Sequence, residues 1–563
     1  MMKTLKTTLV GILLLAPATS AQESPLGLIP ETAGAVIRIQ APEKIQKDLS
    51  AFINKVQPGF GGSVDAQFRD VLGRMVNNPS LDGLDLSNDW YIALMIDDVG
   101  QPQPVFVLPT TDFEKASKAM DAELEIAENK SWLICTPDAA LLADFGDEDL
   151  ESIDSAFDEK STAMLMAGHI GIGVNAEQLK DNFADDLESA EEHLDDAIES
   201  MVRQVQQASP GTDMKAVFGI YREIGTAFLQ AVRDSESAAV SIAFTEEAFQ
   251  VDMLLAMTEG TQTAKFLATQ PVSSLDRLTS VPEGMLAYMA MHGDPKAMID
   301  MTEKMMSGML KDTAQKEKIA KSLEMMRTVK FGTLAGGGTL TPDEDGAMRY
   351  MAVSEMSPAS AMQEAMKSMG DSAEYEIGGV RQTQSYEADA EQLDGQSVGI
   401  FRLKQTLPAG LDPTGMQEAM NKKFYGPDGI VQRILVKDDV VYQSMGGGLD
   451  ALKQLTTSKT WTDDTLLKAR ARQHEKANAV VLVDMPNSLY QMARTIISTN
   501  ALPLPIKAEQ LDGLELAPSY AGFSMAAGEN SLEARGCISV EGFQSFVRLA
   551  TFIQGQMNQR QRQ

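Results

Sequence analysis

Ala35-Val36-Ile37-Arg38-Ile39-Gln40-Ala41-Pro42-Glu43 reads as a strand that hands over to a helix. Apolar and branched residues fill the strand. Proline at 42 suits a first helical turn, where a missing N–H leaves no bond unmade. Leu49, Phe52, Ile53 and Val56 then recur at helical spacing. Further on, Trp90 to Ile96 and Val105 to Leu108 flank a turn at Asp97 to Gly100, the pattern of a hairpin. Thr111 and Glu114 have the spacing of a capping box, which starts another helix. The order is strand, helix, hairpin, helix.

The same order returns three times. Ala167 to Val174 is a strand, Asn175 with Gln178 starts an acidic helix, and Ala238–Phe244 with Phe249–Leu255 form a hairpin turning through Thr245 to Ala248. Met285 to Met291 is followed by Asp294 and Pro295, a cap and a first-turn proline. Its hairpin turns at Pro342 to Gly346, and Ser357-Pro358 opens the next helix. Ala479 to Val483 leads into Asp484, Pro486 and a helix through Ile497. A hairpin near Gly528 to Asn530 follows, then a helix carrying Phe543, Phe546, Val547, Ala550 and Ile553. Between the third and fourth copies, Tyr375 to Ser458 holds further hairpin and helix. Within it, Val440 to Leu452 resembles Trp132 to Leu142.

These patterns predict an α+β fold of repeated strand-helix-hairpin-helix units in a ferredoxin-like layout, with antiparallel sheets and helices covering one face. Alternation such as Gln250 and Asp252 against Val251 and Met253 predicts that the other face is wet. The expected organisation is a signal peptide at 1–21, units at 25–150, 155–272, 278–460 (with the extra segment) and 470–558, and a tail at 559–563. Linkers are expected at Asp144–Lys160, Gln270–Pro282 and Ser458–Thr465.

Lys3 and Lys6, the apolar run Leu9 to Leu15, and Thr19, Ser20 and Ala21 follow the order of a secretory leader cut before Gln22. The run is shorter than the roughly 20 residues a spanning helix needs. The expectation is an exported chain, periplasmic or extracellular, with no transmembrane segment in its mature form. The formal net charge of -32 disfavours nucleic acid and anionic lipid as partners. Cys135 and Cys537 lie near opposite ends of the chain; a single long-range bridge or two buried thiols are the alternatives, and the thiols are preferred.

Chemistry is sparse. His169, His193, His292 and His474 show no metal-ligand spacing, although His169 and His292 lie in first strands that could approach each other. Gly522-Phe523-Ser524-Met525-Ala526 misses the nucleophile-elbow pattern at its last residue and falls within a predicted hairpin. Gly336–Gly338 and Gly446–Gly448 lack the lysine and hydroxyl of a P-loop and read as close packing or tight turns. Asp343, Asp345 and Gly346 lack the closing glutamate of a calcium loop. Methionine is abundant, 34 residues, and Met298, Met301, Met305 and Met309 form a stripe that reads as core in preference to a Cu(I) site with His292 or an apolar-ligand surface. No catalytic, cofactor-binding or metal-binding residue is assigned, and no cofactor is expected.

The stretch from Ile29 through Phe52, with Pro30, Glu31, Ala35, Val36, Ile37 and Pro42, resembles the opening of a family of secreted bacterial proteins, common in planctomycetes and defined as a domain of unknown function. Leu108 to Phe113 and the strand and turn before Ala139 to Leu142 are similar to it as well. The resemblance implies no activity and no site residues. The leading expectation is therefore an exported, non-catalytic binding or scaffold protein with an unidentified protein or apolar ligand as partner. A carrier of apolar molecules comes second, and a hydrolase using two carboxylates third.

Overall fold

The computed structural model of the chain describes residues 25–561, apart from 97–99, 121–122, 146–150, 209–214, 297–298, 301, 304–312, 342–345, 369–372, 378–379, 408–411, 413, 499–510 and 512. The leader, the stripe of Met298, Met301, Met305 and Met309, and Asp343 with Asp345 lie outside the described residues.

The first unit runs β1 (Ala35–Ile39), α1 (Pro42–Val56), α2 (Gly61–Met75), β2 (Trp90–Ile96), β3 (Pro102–Pro109) and α3 (Phe113–Ala119), then a second hairpin, β4 (Glu125–Asn129) and β5 (Trp132–Thr136). Helix α4 (Glu159–Ala167) leads to β6 (Ile170–Asn175), α5 (Ala176–Asn182), α6 (Ala184–Ala208), α7 (Lys215–Asp234), β7 (Ser235–Phe244), β8 (Ala248–Met257) and α8 (Gln262–Ala268). The third unit holds β9 (Ala287–Met291), α9 (Thr313–Arg327), β10 (Lys330–Leu340), β11 (Met348–Ser357) and α10 (Ser360–Ser368). The extra segment gives β12 (Ala373–Ile377), β13 (Val380–Leu393), β14 (Gln396–Thr406), α11 (Met416–Tyr425), β15 (Ile430–Lys437), β16 (Val440–Met445) and α12 (Gly448–Thr457). The chain closes with α13 (Asp464–Ala471), β17 (Ala479–Val483), α14 (Met485–Ser498), β18 (Ala521–Ala527), β19 (Ser531–Ser539) and α15 (Val540–Gln561). That last helix runs through Gln559 to Gln561 of the expected tail, whose glutamines and arginines are good helix formers.

The fold is α+β with an antiparallel sheet, as the patterns predict. All described strands join one sheet in the order β4-β5-β3-β2-β1-β6-β7-β8-β19-β18-β17-β9-β10-β11-β16-β15-β14-β13-β12. Two of the four first strands do pair with the first strand of the next unit, β1 with β6 and β9 with β17. The ferredoxin-like layout needs a parallel neighbour pair, however, and every described ladder is antiparallel. The reason is visible between β1 and β2, where two helices stand instead of one. Arg69 of α2 lies 3.9 Å from Glu43 at the start of α1, and Ser50 donates to the Gly61 carbonyl near the end of α1, so the two helices are antiparallel. A down-and-up helical hairpin returns the chain to the end it left, and the next strand then runs antiparallel beside the first.

The sheet has an internal two-fold relation centred between β8 and β19. It exchanges β7 with β18, β6 with β17, β1 with β9, β2 with β10, β3 with β11, β5 with β16 and β4 with β15. Hydrogen bonds outside the ladders repeat in kind. The His169 carbonyl accepts from Gln40 N at 2.8 Å, and the Asn478 carbonyl accepts from His292 N at 2.7 Å. Asn175 N donates to Gly34 O, and Asp484 N to Leu286 O. Met257 N donates to Asn530 O across the centre, and its mate Val540 N donates to Glu247 O. Strands β12, β13 and β14 have no counterpart and extend one edge. The likeness between Val440–Leu452 and Trp132–Leu142 is thereby explained, because β16 and β5 are exchanged by the two-fold.

Both faces of the sheet carry packed layers over the first unit. On one, Trp90, Ile92, Phe106, Leu108 and Leu133 pack against Leu72 and Val76 at the end of α2 and Ala116 of α3. On the other, Val36, Tyr91, Ala93, Val105, Val107 and Ile134 meet Phe145, Ile153, Phe157 and Leu165. The segments expected as linkers thus form a second layer. Ile153 and Phe157 come from the first, Leu275, Leu278 and Val281 from the second, and Trp461 from the third; Trp461 also donates its indole N–H to Val281 O at 2.8 Å. Their sparse apolar residues are the ones that reach the sheet. Gly171 shows how tightly this layer sits: a Cβ there would lie 1.8 Å from the Leu165 carbonyl oxygen of α4.

At the centre the alternation is inverted relative to expectation. Asp252 is 9% exposed and Met253 is 41% exposed. Asp252 faces its own two-fold mate, Arg535, directly across the β8–β19 ladder, and the guanidinium donates to its carboxylate at 2.5 Å. Opposite charges at positions exchanged by the two-fold favour β8 pairing with β19 over either strand pairing with a copy of itself.

Reversing one of these charges, by Asp252→Arg or Arg535→Asp, is expected to cost about 3 kcal/mol, the low end for breaking a buried pair because Arg535 keeps 30% exposure. Thermal unfolding of the double reversal should recover more than half of the loss. A double variant as unstable as the two single losses added together would show that the pair does not join the halves.

Candidate functional site: the polar seam

The layer that buries Asp252 and Arg535 also encloses a group of polar side chains. Ser237 and Ser241 come from β7, Ser524 from β18, and Ser531 and Glu533 from β19. Helix α4 adds Ser161, whose hydroxyl is 2.9 Å from that of Ser237, and the turn after α13 adds His474. Each half also sends a cation to the other. Lys160 lies 3.5 Å from Glu533, and Arg472 lies 3.6 Å from Glu247.

Ser524, His474 and Glu533 recreate the residue types of a hydrolase triad. The Ser524 hydroxyl is 2.9 Å from His474 Nδ1, and Glu533 is 3.8 Å from His474 Nε2. Three features argue against acyl transfer. Ser524 is 0% exposed, so no substrate carbonyl reaches it. Its oxygen already accepts the main-chain N–H of His474 at 3.2 Å. The ring is also reversed relative to a working triad, where the serine meets Nε2 and the acid meets Nδ1. With Ser524 donating to Nδ1, the ring proton sits on Nε2, towards Glu533. Burial, then the Arg535 guanidinium, push the His474 pKa down, and Glu533 offsets them only in part. A neutral ring that accepts the serine proton fits a structural hydrogen-bond network.

His169 occupies the position equivalent to Asn478, and both do the same work. His169 Nδ1 accepts from Phe244 N at 3.1 Å, while Asn478 Oδ1 accepts from Ala527 N at 2.6 Å. The proton on His169 is therefore on Nε2, which donates to Asp48 of α1 at 2.9 Å, and the ring stacks on Phe244 at 5.0 Å. Desolvation raises the Asp48 carboxyl, but hydrogen bonds from His169 and Lys44 outweigh it and hold the group below the ordinary carboxylate value. His169 and His292 do not approach each other. Their strands, β6 and β9, are six spacings apart in the sheet, roughly 29 Å at about 4.8 Å per strand. The ladders pair β1 with β6 on one side of the two-fold and β9 with β17 on the other, which keeps the two apart.

The remaining sequence features resolve simply. Cys135 and Cys537 are free and buried on opposite faces of the sheet, with burial raising the Cys135 thiol to about 12. Gly336 and Gly337 lie within β10, where a Cβ on Gly337 would meet Met285 Sδ at 2.7 Å. Gly446, Gly447 and Gly448 are all left-handed, at φ of 71°, 70° and 63°, which only glycine adopts three times running at low cost. The cap of α3 is Asp112, which accepts from Lys115 N, and not Thr111, whose hydroxyl is spent on the Gly83 carbonyl. The pairing of Ser524 with His474 escaped the sequence, since 50 positions separate them and no local motif links them.

Two open cavities of about 240 and 190 Å³ flank Tyr425 to Pro427 in the extra segment. Glu418 is the acid lining the first and Asp428 the acid lining the second, so neither offers the carboxylate pair a glycosidase uses. Among the described residues, no group of three or more His, Cys, Asp or Glu side chains is placed to hold a metal ion, and no helix is long and apolar enough to cross a membrane.

No family and no curated protein matches the chain. Two solved structures, crystal forms III and I of TP0453, align with 48% of this chain and with 97% and 96% of theirs, at 9% identity and TM-scores of 0.22 and 0.19. Likeness that slight carries no argument.

The depressed His474 pKa has a sign. The unfolded chain takes up the proton near 6.5 while the folded one resists it, so the seam's contribution is complete above that value and is lost as pH falls below it. Thermal midpoints should drop between pH 7.5 and 5.5, and His474→Asn should flatten part of that slope. An unchanged slope would show that His474 is not buried neutral at the seam.

Proposed function

We propose that this is an exported, non-catalytic protein that binds or scaffolds a partner in the cell envelope or outside the cell. The observation that carries the reading is where its side chains are spent. The histidine, serine and carboxylate clusters close on one another inside the fold, while large apolar side chains are left on the outside. Met485, Leu489 and Met492 stand 40–50% exposed along one side of α14, and Met253 and Phe523 stand 41% and 38% exposed on the sheet. Such patches are the usual mark of an interaction surface. Export is supported by the leader pattern of Lys3, Lys6 and Leu9 to Leu15.

A carrier of apolar ligands is the second reading, and one observation favours it. Met253 on β8 and Phe523 on β18 are on the same face, separated by β19, so the middle of that face offers an exposed apolar floor with a flexible thioether in it.

Native mass spectrometry of the protein purified from its producing cells separates the readings. The expected species begins at Gln22 and carries no non-protein mass. A stoichiometric apolar adduct would replace the scaffold reading with the carrier, and a chain still beginning at Met1 would remove export.

A further inference from the structure

We propose that β4, at one edge of the sheet, takes up an extended segment of a partner protein that carries two cations three residues apart. The inference rests on the binding reading above and names its surface. The sheet ends differently on its two sides. On one, β15 is followed by β14, β13 and β12. On the other, β4 comes last, and among the described residues its ladder partner is β5 alone. The two-fold exchanges β4 with β15. The second half of the molecule therefore shows what a strand in this position accepts.

Following the ladders outward from Asp252 and Arg535 gives the mates residue by residue. Ala127 falls on Leu435, Ile126 on Ile434 and Glu125 on Arg433. The hairpin turns agree, since Lys130 and Asp438 are then mates and both have positive φ, 56° and 53°. In the second half β14 lies antiparallel against these positions, with Val398, Gly399 and Ile400 opposite Leu435, Ile434 and Arg433. Arg433 reaches over β14 and donates to both carboxylate oxygens of Glu391 on β13, at 2.7 and 2.9 Å. The first half places the opposite charge, Glu125, where Arg433 stands. Glu125 and Glu128 are exposed and have no ion pair among the described residues.

Register sets the chemistry of the occupant. A sheet edge offers a row of backbone N–H and C=O groups to an added strand. Glu125 and Glu128 are three positions apart, so they point to opposite faces. An antiparallel segment that brings a cation to each has two residues between, opposite Ala127 and Ile126. Ile126 packs against the cluster of Leu133 and Cys135, and an apolar residue opposite it extends that core. The segment reads cation, apolar, apolar, cation. A second copy does not meet this demand. Its β13–β14 hairpin would bring Glu391 to Glu125. Its β4 laid against β4 would gather the glutamates of both copies on one short ladder, in a chain of net charge -32.

The test uses the full chain and a short labelled peptide with the core lysine–valine–valine–lysine. The other arms are its glutamate–valine–valine–glutamate counterpart, two forms of the lysine peptide N-methylated on one or the other set of alternate amides, and sedimentation of the protein alone. The lysine peptide should bind, more weakly as salt rises, and the glutamate peptide should not. Glu125→Lys with Glu128→Lys should lower the affinity for the lysine peptide about tenfold or more and create affinity for the glutamate peptide, a reversal that misfolding does not produce. One N-methylated form should lose binding and the other keep it, because only alternate amides of an added strand face the edge. Equal binding of the lysine peptide by both proteins, or equal behaviour of the two methylated forms, would overturn the proposal. So would a dimer of the protein alone that the lysine peptide dissociates, which would give the edge to a second copy. A natural partner retained by the doubly substituted protein would overturn this edge and leave the broader reading standing, whereas substrate turnover would remove the broader reading and this one with it.

Discussion

The ladder between β8 and β19 is the contact on which the rest of this molecule depends. Each strand is the last of its half, and without the other each would be a sheet edge with unpaired N–H and C=O groups, a liability that proteins must cover. Joining the two removes both edges at once and places the two-fold between Asp252 and Arg535. A symmetric seam built from identical strands would bring like charges face to face. Here the mates carry opposite charge, and their proximity becomes attraction.

The seam also explains why the most reactive-looking residues are quiet. Ser524, His474 and Glu533 gather there because the ladder and the two packing helices need polar side chains that satisfy one another away from water. The same constraint that brings them together closes them to substrate. Large apolar side chains stay exposed elsewhere, on helix flanks and in the middle of one sheet face.

Much of the architecture was legible in the chain. The strands around Ile37, Val174, Met289 and Val481, the four hairpins and the caps at Asn175 and Asp484 all follow from local pattern, since each is decided by a few neighbouring residues. What escaped was non-local. The second helix between first strand and hairpin changes neighbour direction from parallel to antiparallel, and its weak periodicity at Gly61–Met75 hides it. The segments around Ile153, Leu278 and Trp461 looked like linkers because so few of their residues are apolar, yet those few are fully placed in the core. Asp252 looked solvated by alternation alone, and only the partner strand, far along the chain, makes it a buried residue. The polar seam was illegible for the same reason: its members come from four strands, helix α4 and the turn after α13, and no spacing connects them.

Amide hydrogen exchange of the intact protein tests the central claim most directly. If β8 and β19 hold the halves in one sheet, the amides of Ala248–Met257 and Ser531–Ser539 belong to the slowest-exchanging class and lose protection together. Fast exchange in these two strands, with β1, β6, β9 and β17 still protected, would show two sheets that merely touch, and the account of a single two-fold seam would be wrong.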